Sequence, residues 1–326
     1  GMTASVAAGL SGDSGWILTA ATLVVAGLLL VPGWIVGRAA RLAALPSLAV
    51  APALGSAIIA AAEILAHTLA LPWLPWGWAV IAGLTAVLAL MARLIVGAPP
   101  EHARRAASPG RAEWAILAAG LSVAVALPAG VILSVLPSPG YPAQAFDATF
   151  HLNAVAAIRE GGNASMLGGL SALYSGRAVY YPTVWHGVVA LAPGSPAPVS
   201  TAGVLALTAV VWPLSLLGLL ARAAGLDAVR ASETDRARRR QRTCAVAAVL
   251  ALSAAVVGFP LLPMTALAVW PYALSVAGLP GVLVLYDQLR QETASWRLRL
   301  TLVLLTLAAA GGVVAAHGTG LFNLAV

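Results

Sequence analysis

The sequence predicts an all-α, polytopic membrane protein of about eight transmembrane helices, with one long polar loop outside the membrane. Three observations carry this. The chain is 60% apolar and only 9% charged, with a mean hydropathy of +0.92; soluble globular proteins are nearer ~25% charged. Apolar runs of about twenty residues, the length that spans a bilayer, recur along the whole chain. Between Pro137 and Pro198 that pattern stops, and Asp147, His151, Arg159, Glu160, Arg177, Tyr180, Tyr181, Trp185 and His186 gather in one connection. A β-barrel would show short alternating segments instead.

The apolar runs lie near 15–37, 47–70, 77–97, 113–136, 199–221, 243–262, 272–289 and 300–316. Asp13 is the only charge before the first run. Without a basic n-region, that run reads as a permanent span and not a cleaved signal. The connections then separate by charge. Arg38 and Arg41 follow the first run, and Arg93, Arg104, Arg105 and Arg111 surround the third connection. Arg222, Arg230, Arg236, Arg238, Arg239, Arg240 and Arg242 fill the fifth, and Arg290, Arg297 and Arg299 the seventh. Sixteen of the 18 basic residues therefore lie in odd-numbered connections. By the positive-inside rule these are cytoplasmic, so the N-terminus and the 137–198 loop are extracytoplasmic, in a multi-pass protein of the plasma membrane. The even connections agree: LPWLPWGW (71–78) and FPLLPMTALAVWPY (259–272) carry aromatics and no charge, as an interfacial belt would. Arg159 and Arg177 are left over in the outer loop. Topology does not account for them, which makes both candidates for holding an anion.

Composition also excludes several classes. Every basic residue counted among the 18 is Arg, so the essential Lys of a Walker A loop is missing. Arg in place of Lys, with abundant Ala, suggests a high-GC, actinobacteria-like bacterial genome. The isoelectric point near 10.5 comes from arginines in short loops, so it reports topology and predicts no nucleic-acid partner. The single Cys244 allows no internal disulfide and reads as a small packed residue at the start of a span. The apolar ending LFNLAV suggests a piece of a longer chain.

Within the outer loop, FDATFHLNAVAAIREGG reads as a short amphipathic helix. Phe146, Phe150, Val155 and Ile158 recur near helical spacing, and Gly161–Gly162 supply the stop. Such a helix, flanked by Pro and next to a span, lies along the membrane surface. Asp147 and His151 are four apart and share a face. Either Asp147 caps the helix and pairs with His151, or the two form an acid–base or metal-binding pair. The Arg159–Glu160 pair reads as a solvated helix end unless Arg159 binds an anion. The returning segment YYPTVWHGVVALAP adds Tyr180, Tyr181 and Trp185, a turn at Pro182, and His186. Aromatics are ordinary at a bilayer interface, and their faces also stack on sugars. Asn163–Ser165 matches a glycosylation sequon, which a bacterial chain has little use for. Within the spans, Glu63 and His67 lie four apart toward the outer half of the second run. They read as a mutually satisfied pair, as the lining of an outward cavity, or as a proton relay. His317, at the outer end of the last run, is structural or reaches the same cavity.

This combination resembles the GT-C superfamily of integral-membrane glycosyltransferases, in particular bacterial members that use polyprenyl-phosphate sugars. The matching residues are Asp147, His151 and Gly161 in a D-x-x-x-H…G element, and Tyr181, Pro182 and His186 in Y-P-x-x-x-H. The likeness covers roughly 113–200. It divides the chain into a three-helix segment (1–112) and a GT-C-like core (113–326) with 137–198 as outer catalytic loop. Three further spans precede the one that leads into the loop, where the family usually places the loop after its first span, and the family usually has about a dozen spans, so the chain is expected to be truncated at its C-terminus. The resemblance implies transfer of a sugar from a polyprenyl-phosphate donor to a cell-envelope glycan or lipid acceptor. Asp147 would be general base, with His151 orienting it. Arg177, Arg159, His186 and His317 would hold the donor phosphate, directly or through a divalent metal (Mg or Mn), and no other cofactor is implied. Tyr180, Tyr181 and Trp185 would seat sugar and lipid. Topology supports this independently. Nucleotide sugars are cytoplasmic, so an outward site needs a donor that the membrane delivers. Two other readings stand beside it: a transporter or flippase built on Glu63–His67, and a non-catalytic membrane subunit.

Overall fold

The computed structural model describes residues 13–97, 109–227 and 233–325. Among these the chain is helical throughout, with no strand beyond an isolated antiparallel bridge between Leu167 and Tyr180. In order, the helices are α1 (Asp13–Ala39), α2 (Ala44–Thr68), α3 (Trp73–Val96) and α4 (Arg111–Val135); α5 (Phe146–Gly161) and α6 (Val184–Leu191) in the long connection; then α7 (Pro196–Ala223), α8 (Glu233–Ser253), α9 (Trp270–Gln291), α10 (Trp296–Ala316) and α11 (Gly320–Ala325). Seven of the described helices are long and apolar enough to cross a membrane: α1–α4, α7, α9 and α10.

The expected run near 243–262 is different. Its helix stops at Ser253 and resumes only at Val257–Met264, bent by 48°, so the total reaches eight only if this bent pair counts as one span. The sequence VVGFPLLPM explains the break. Pro260 and Pro263 cannot donate backbone hydrogen bonds and clash with the preceding turn. Phe259, before Pro260, is extended at φ −152°, ψ 134°, as residues before proline prefer. Arg104, Arg105 and Arg230 lie outside the described residues.

α2 is the centre of the bundle, packed against α1, α3, α7, α9 and α10. Its Ala and Gly residues permit this. Without a hydrophobic driving force between helices in lipid, tight association needs backbones that approach closely. A Cβ on Gly281 of α9 would sit 2.6 Å from the Ala49 carbonyl oxygen of α2, so only glycine fits there. α4 pairs with α8 in a second apolar cluster, locked at its polar end by an ion pair between Glu113 Oε1 and Arg239 Nε, 3.2 Å apart.

α5 forms where the sequence predicts it. Asp147 in the first turn and Arg159 in the last complement the helix dipole, and Gly162 ends the helix at φ 66°. Its buried face is Ala148–His151–Val155–Ile158, whereas Phe146, expected on that face, is 96% exposed. α6 is buried on every side, as its composition requires, since a helix apolar all round belongs in a core.

Candidate functional site

Three tethers seat α6 against α2, α3 and α5. The Trp73 indole of α3 donates to the Gly187 carbonyl (2.8 Å). The Thr183 hydroxyl donates to Glu63 Oε2 of α2 (2.9 Å). The Arg159 guanidinium of α5 donates to three carbonyls at the C-terminal end of α6: Ala190 through Nε (3.0 Å), Ala192 through Nη2 (2.6 Å) and Gly194 through Nη1. Those carbonyls have no intrahelical partner, so Arg159 serves as a C-terminal brace.

These tethers fix His186 opposite His151. The two imidazoles meet at 2.8 Å, Nδ1 of His151 to Nε2 of His186, and both are buried. One nitrogen donates and the other accepts, so the contact holds one proton. Burial pushes the His151 imidazole down to about 4; the Asp147 charge and a backbone hydrogen bond with Ala268 oppose this, and His317 adds to it. Burial, then His151, push His186 well below its ordinary range, against a raising contribution from the Pro182 carbonyl. The pair is therefore neutral near pH 7.

Aromatics enclose the pair. The Trp270 ring lies 5.1 Å from His151, and Trp185 lies 4.7 Å from Trp270 and 5.3 Å from His186. Tyr181 packs on His186 (5.6 Å) and Phe150 (5.0 Å). Burial, then Tyr174 and Asp147, hold the Tyr181 phenol above its ordinary range. His317 follows α10, with its Nδ1 2.7 Å from the Thr319 hydroxyl and its ring edge-on to Tyr272; burial lowers its pKa.

Asp147 lies one turn before His151, half-buried, inside the first turn of α5. The N-cap is Ala145, and Asp147 makes no capping bond. Among the described residues it has no hydrogen bond or ion pair; its charge is felt at His151 and Tyr181 without contact. It lies at the edge of the aromatic box. Arg177 is exposed, on a turn whose backbone bonds to Tyr174, and Tyr174 packs on Phe150 of α5.

A family model described as a family of unknown function (DUF6541) matches residues 26–326. The chain belongs to that family. No curated protein and no solved structure matches it.

The family match therefore spans α5, α6 and the helices that hold them. Against the sequence expectations, the structure brings Asp147, His151, His186, Tyr181 and His317 into one neighbourhood. It gives several residues other surroundings. Arg159 spends three of its N–H groups on α6. Trp185, read as an interfacial or sugar-stacking ring, is 0% exposed and walls the histidine pair. Tyr180, by contrast, is 55% exposed. Glu63 and His67 do not pair: Glu63 turns inward to Thr183, and His67 is exposed. In the 71–78 belt, Trp73 is buried while Trp76 and Trp78 stay on the surface, and Trp270 of the second belt is core. Cys244 is exposed. His151 and His186 spend their facing nitrogens on each other, and no group of three ligating side chains occurs among the described residues. Sequence reasoning missed Trp270, Ala268 and Thr183. Trp270 is held by its burial and by an indole hydrogen bond to the Met264 carbonyl (2.9 Å).

Proposed function

We propose that this protein is an integral-membrane glycosyltransferase of the GT-C kind. It moves a sugar from a polyprenyl-phosphate donor to a glycan or lipid acceptor at the outer face of the bacterial plasma membrane. The observation that supports this best is a convergence. His151 and His186, 35 residues apart in the two elements that carry the resemblance, share a 2.8 Å hydrogen bond, and the unpartnered Asp147 lies one turn away on the solvent side.

In this reading the acceptor hydroxyl attacks the anomeric carbon as Asp147 takes its proton. The bond from that carbon to the phosphate oxygen breaks, and polyprenyl phosphate leaves. General-base help of this kind contributes typically ~10²–10⁴-fold. Arg177, exposed and without a partner among the described residues, is suited to the departing phosphate, because guanidinium–phosphate bonds are charge-assisted and often bidentate. The neutral histidine pair holds the Asp147 end of α5 in place and adds no competing charge. Tyr180 offers an exposed ring to the sugar.

A lipid donor also needs a lateral approach. An apolar groove of about 530 Å³ runs between α1, α4 and the π-helical turn of α7, lined by residues such as Thr19, Leu23, Ala129 and Val210. Exposed Trp16 and Leu23 border it. Its α1 wall meets the outer segment where Ile17 lies against Gly194, the residue whose carbonyl Arg159 holds. A transporter would need Glu63 and His67 to act together, and they face different surroundings.

Purified protein in proteoliposomes, given radiolabelled polyprenyl-phosphate mannose or arabinose and a cell-envelope glycan extract, should transfer label to the acceptor from one donor. A folded preparation that transfers from neither, and releases no polyprenyl phosphate, would overturn the proposal.

A further inference from the structure

The arginine-rich start of α8 carries an exposed basic surface. α8 begins as an arginine-rich helix and ends as an apolar one. Arg239 turns inward, buried, to the Glu113 ion pair that docks α8 on α4. That rotation leaves Arg236, Arg238, Arg240 and Arg242 exposed. Arg238, Gln241, Arg242 and Ala245 line a cleft of about 480 Å³. Their spacing of three, four and seven places them on one helix face. The same stripe continues along the helix through Val249 (47% exposed) and Leu252 (69% exposed).

Arg242 also borders a neighbouring polar cavity of about 750 Å³. The acids there are occupied. Arg222 donates to Asp227 and Asp287, both at 2.8 Å, and to Gln291 at 2.6 Å. Arg242 itself has only a long 3.4 Å contact to the Ala224 carbonyl. No carboxylate among the described residues neutralises Arg238 or Arg242. Among the described side chains the stripe thus runs from two guanidinium groups with no acid paired to them, past a small alanine, onto exposed aliphatic side chains.

We infer that this stripe is a binding site for an anionic phospholipid. The headgroup phosphate would sit between Arg238 and Arg242, with Gln241 as a further donor. The acyl chain would lie along Ala245, Val249 and Leu252. Charge complementarity selects the head, and arginine suits it through paired N–H donors aimed at phosphate oxygens. Clustered basic residues immediately beside a membrane-crossing helix are suited to anionic headgroups. The aliphatic continuation selects a lipid over a free anion.

The test is native mass spectrometry of the purified full chain titrated with phosphatidylglycerol, phosphatidylcholine or inorganic phosphate. Wild type should hold phosphatidylglycerol at least tenfold more tightly than phosphatidylcholine. Arg238→Gln/Arg242→Gln should weaken phosphatidylglycerol about tenfold or more. Arg236→Gln/Arg240→Gln, which removes the same charge from the rest of the helix, should weaken it less than about threefold. Arg238→Lys/Arg242→Lys, which keeps the charge, should fall between and guards against a folding defect. Equal losses in the two glutamine variants would mean diffuse charge attraction and overturn the site. So would equal retention of phosphatidylcholine, or displacement of the lipid by millimolar phosphate.

Discussion

Two hydrogen-bonded imidazoles buried in an aromatic box make the segment between α4 and α7 sensitive to acid. His151 is held neutral, its pKa down at about 4; in the unfolded chain an imidazole titrates near ~6.5. Above about pH 6.5 neither state is protonated and the full stability is present. As pH falls from about 6.5 to about 4, the unfolded chain takes up a proton that the folded one does not, so stability is lost across that window. For His151 the loss is on the order of 3 kcal/mol. The melting temperature in detergent should therefore fall more steeply between pH 7 and pH 4.5 in wild type than in His151→Gln/His186→Gln. Parallel curves would contradict the neutral pair. At this scale the sequence was partly legible. The four-residue spacing of Asp147 and His151 and the Y-P-x-x-x-H element named the right neighbourhood. What spacing could not say is which way each side chain turns. Arg159 looked like a free cation until α6 supplied carbonyls for it, and Glu63 and His67 looked like partners until Thr183 took Glu63.

Among the elements, α1 to α4, α7, α9 and α10 follow their apolar runs closely, because about twenty apolar residues leave the backbone no better option in a bilayer. α5 was legible from periodicity and its Gly–Gly stop, but its rotation was not. The buried stripe is set by α6 and Trp270 arriving from elsewhere, so Phe146 faces out although it is the bulkier residue. α6 was unreadable as an element. Eight residues of VWHGVVAL are too short to distinguish a core helix from a re-entering strand by pattern alone. Its position comes from Trp73, Glu63 and Arg159, all distant in sequence. The break between Ser253 and Val257 was written in Gly258, Pro260 and Pro263, residues that an averaged hydropathy passes over.

For the whole molecule, the arginine distribution predicts which end faces outward. With Cys244→Ser as background, Ala178→Cys sits in the outer segment and Thr293→Cys in the α9–α10 connection, both exposed. An impermeant maleimide should label position 178 in intact cells and position 293 only after lysis. The reverse pattern would invert the protein and remove the lipid-delivered donor from the account. The central claim, however, rests on Asp147, through which a box of otherwise neutral groups acquires chemistry. Asp147→Asn keeps the shape and removes the proton acceptor. The decisive measurement is turnover of the purified variant with its polyprenyl-phosphate sugar, taken with donor affinity and melting temperature on the same sample. Turnover should be down by about 10²-fold or more, with donor affinity unchanged and stability lowered by no more than the ~0.3–1 kcal/mol of a charge at a helix N-terminus. Near-normal turnover, or a loss that merely follows a lower melting temperature, would contradict the central claim.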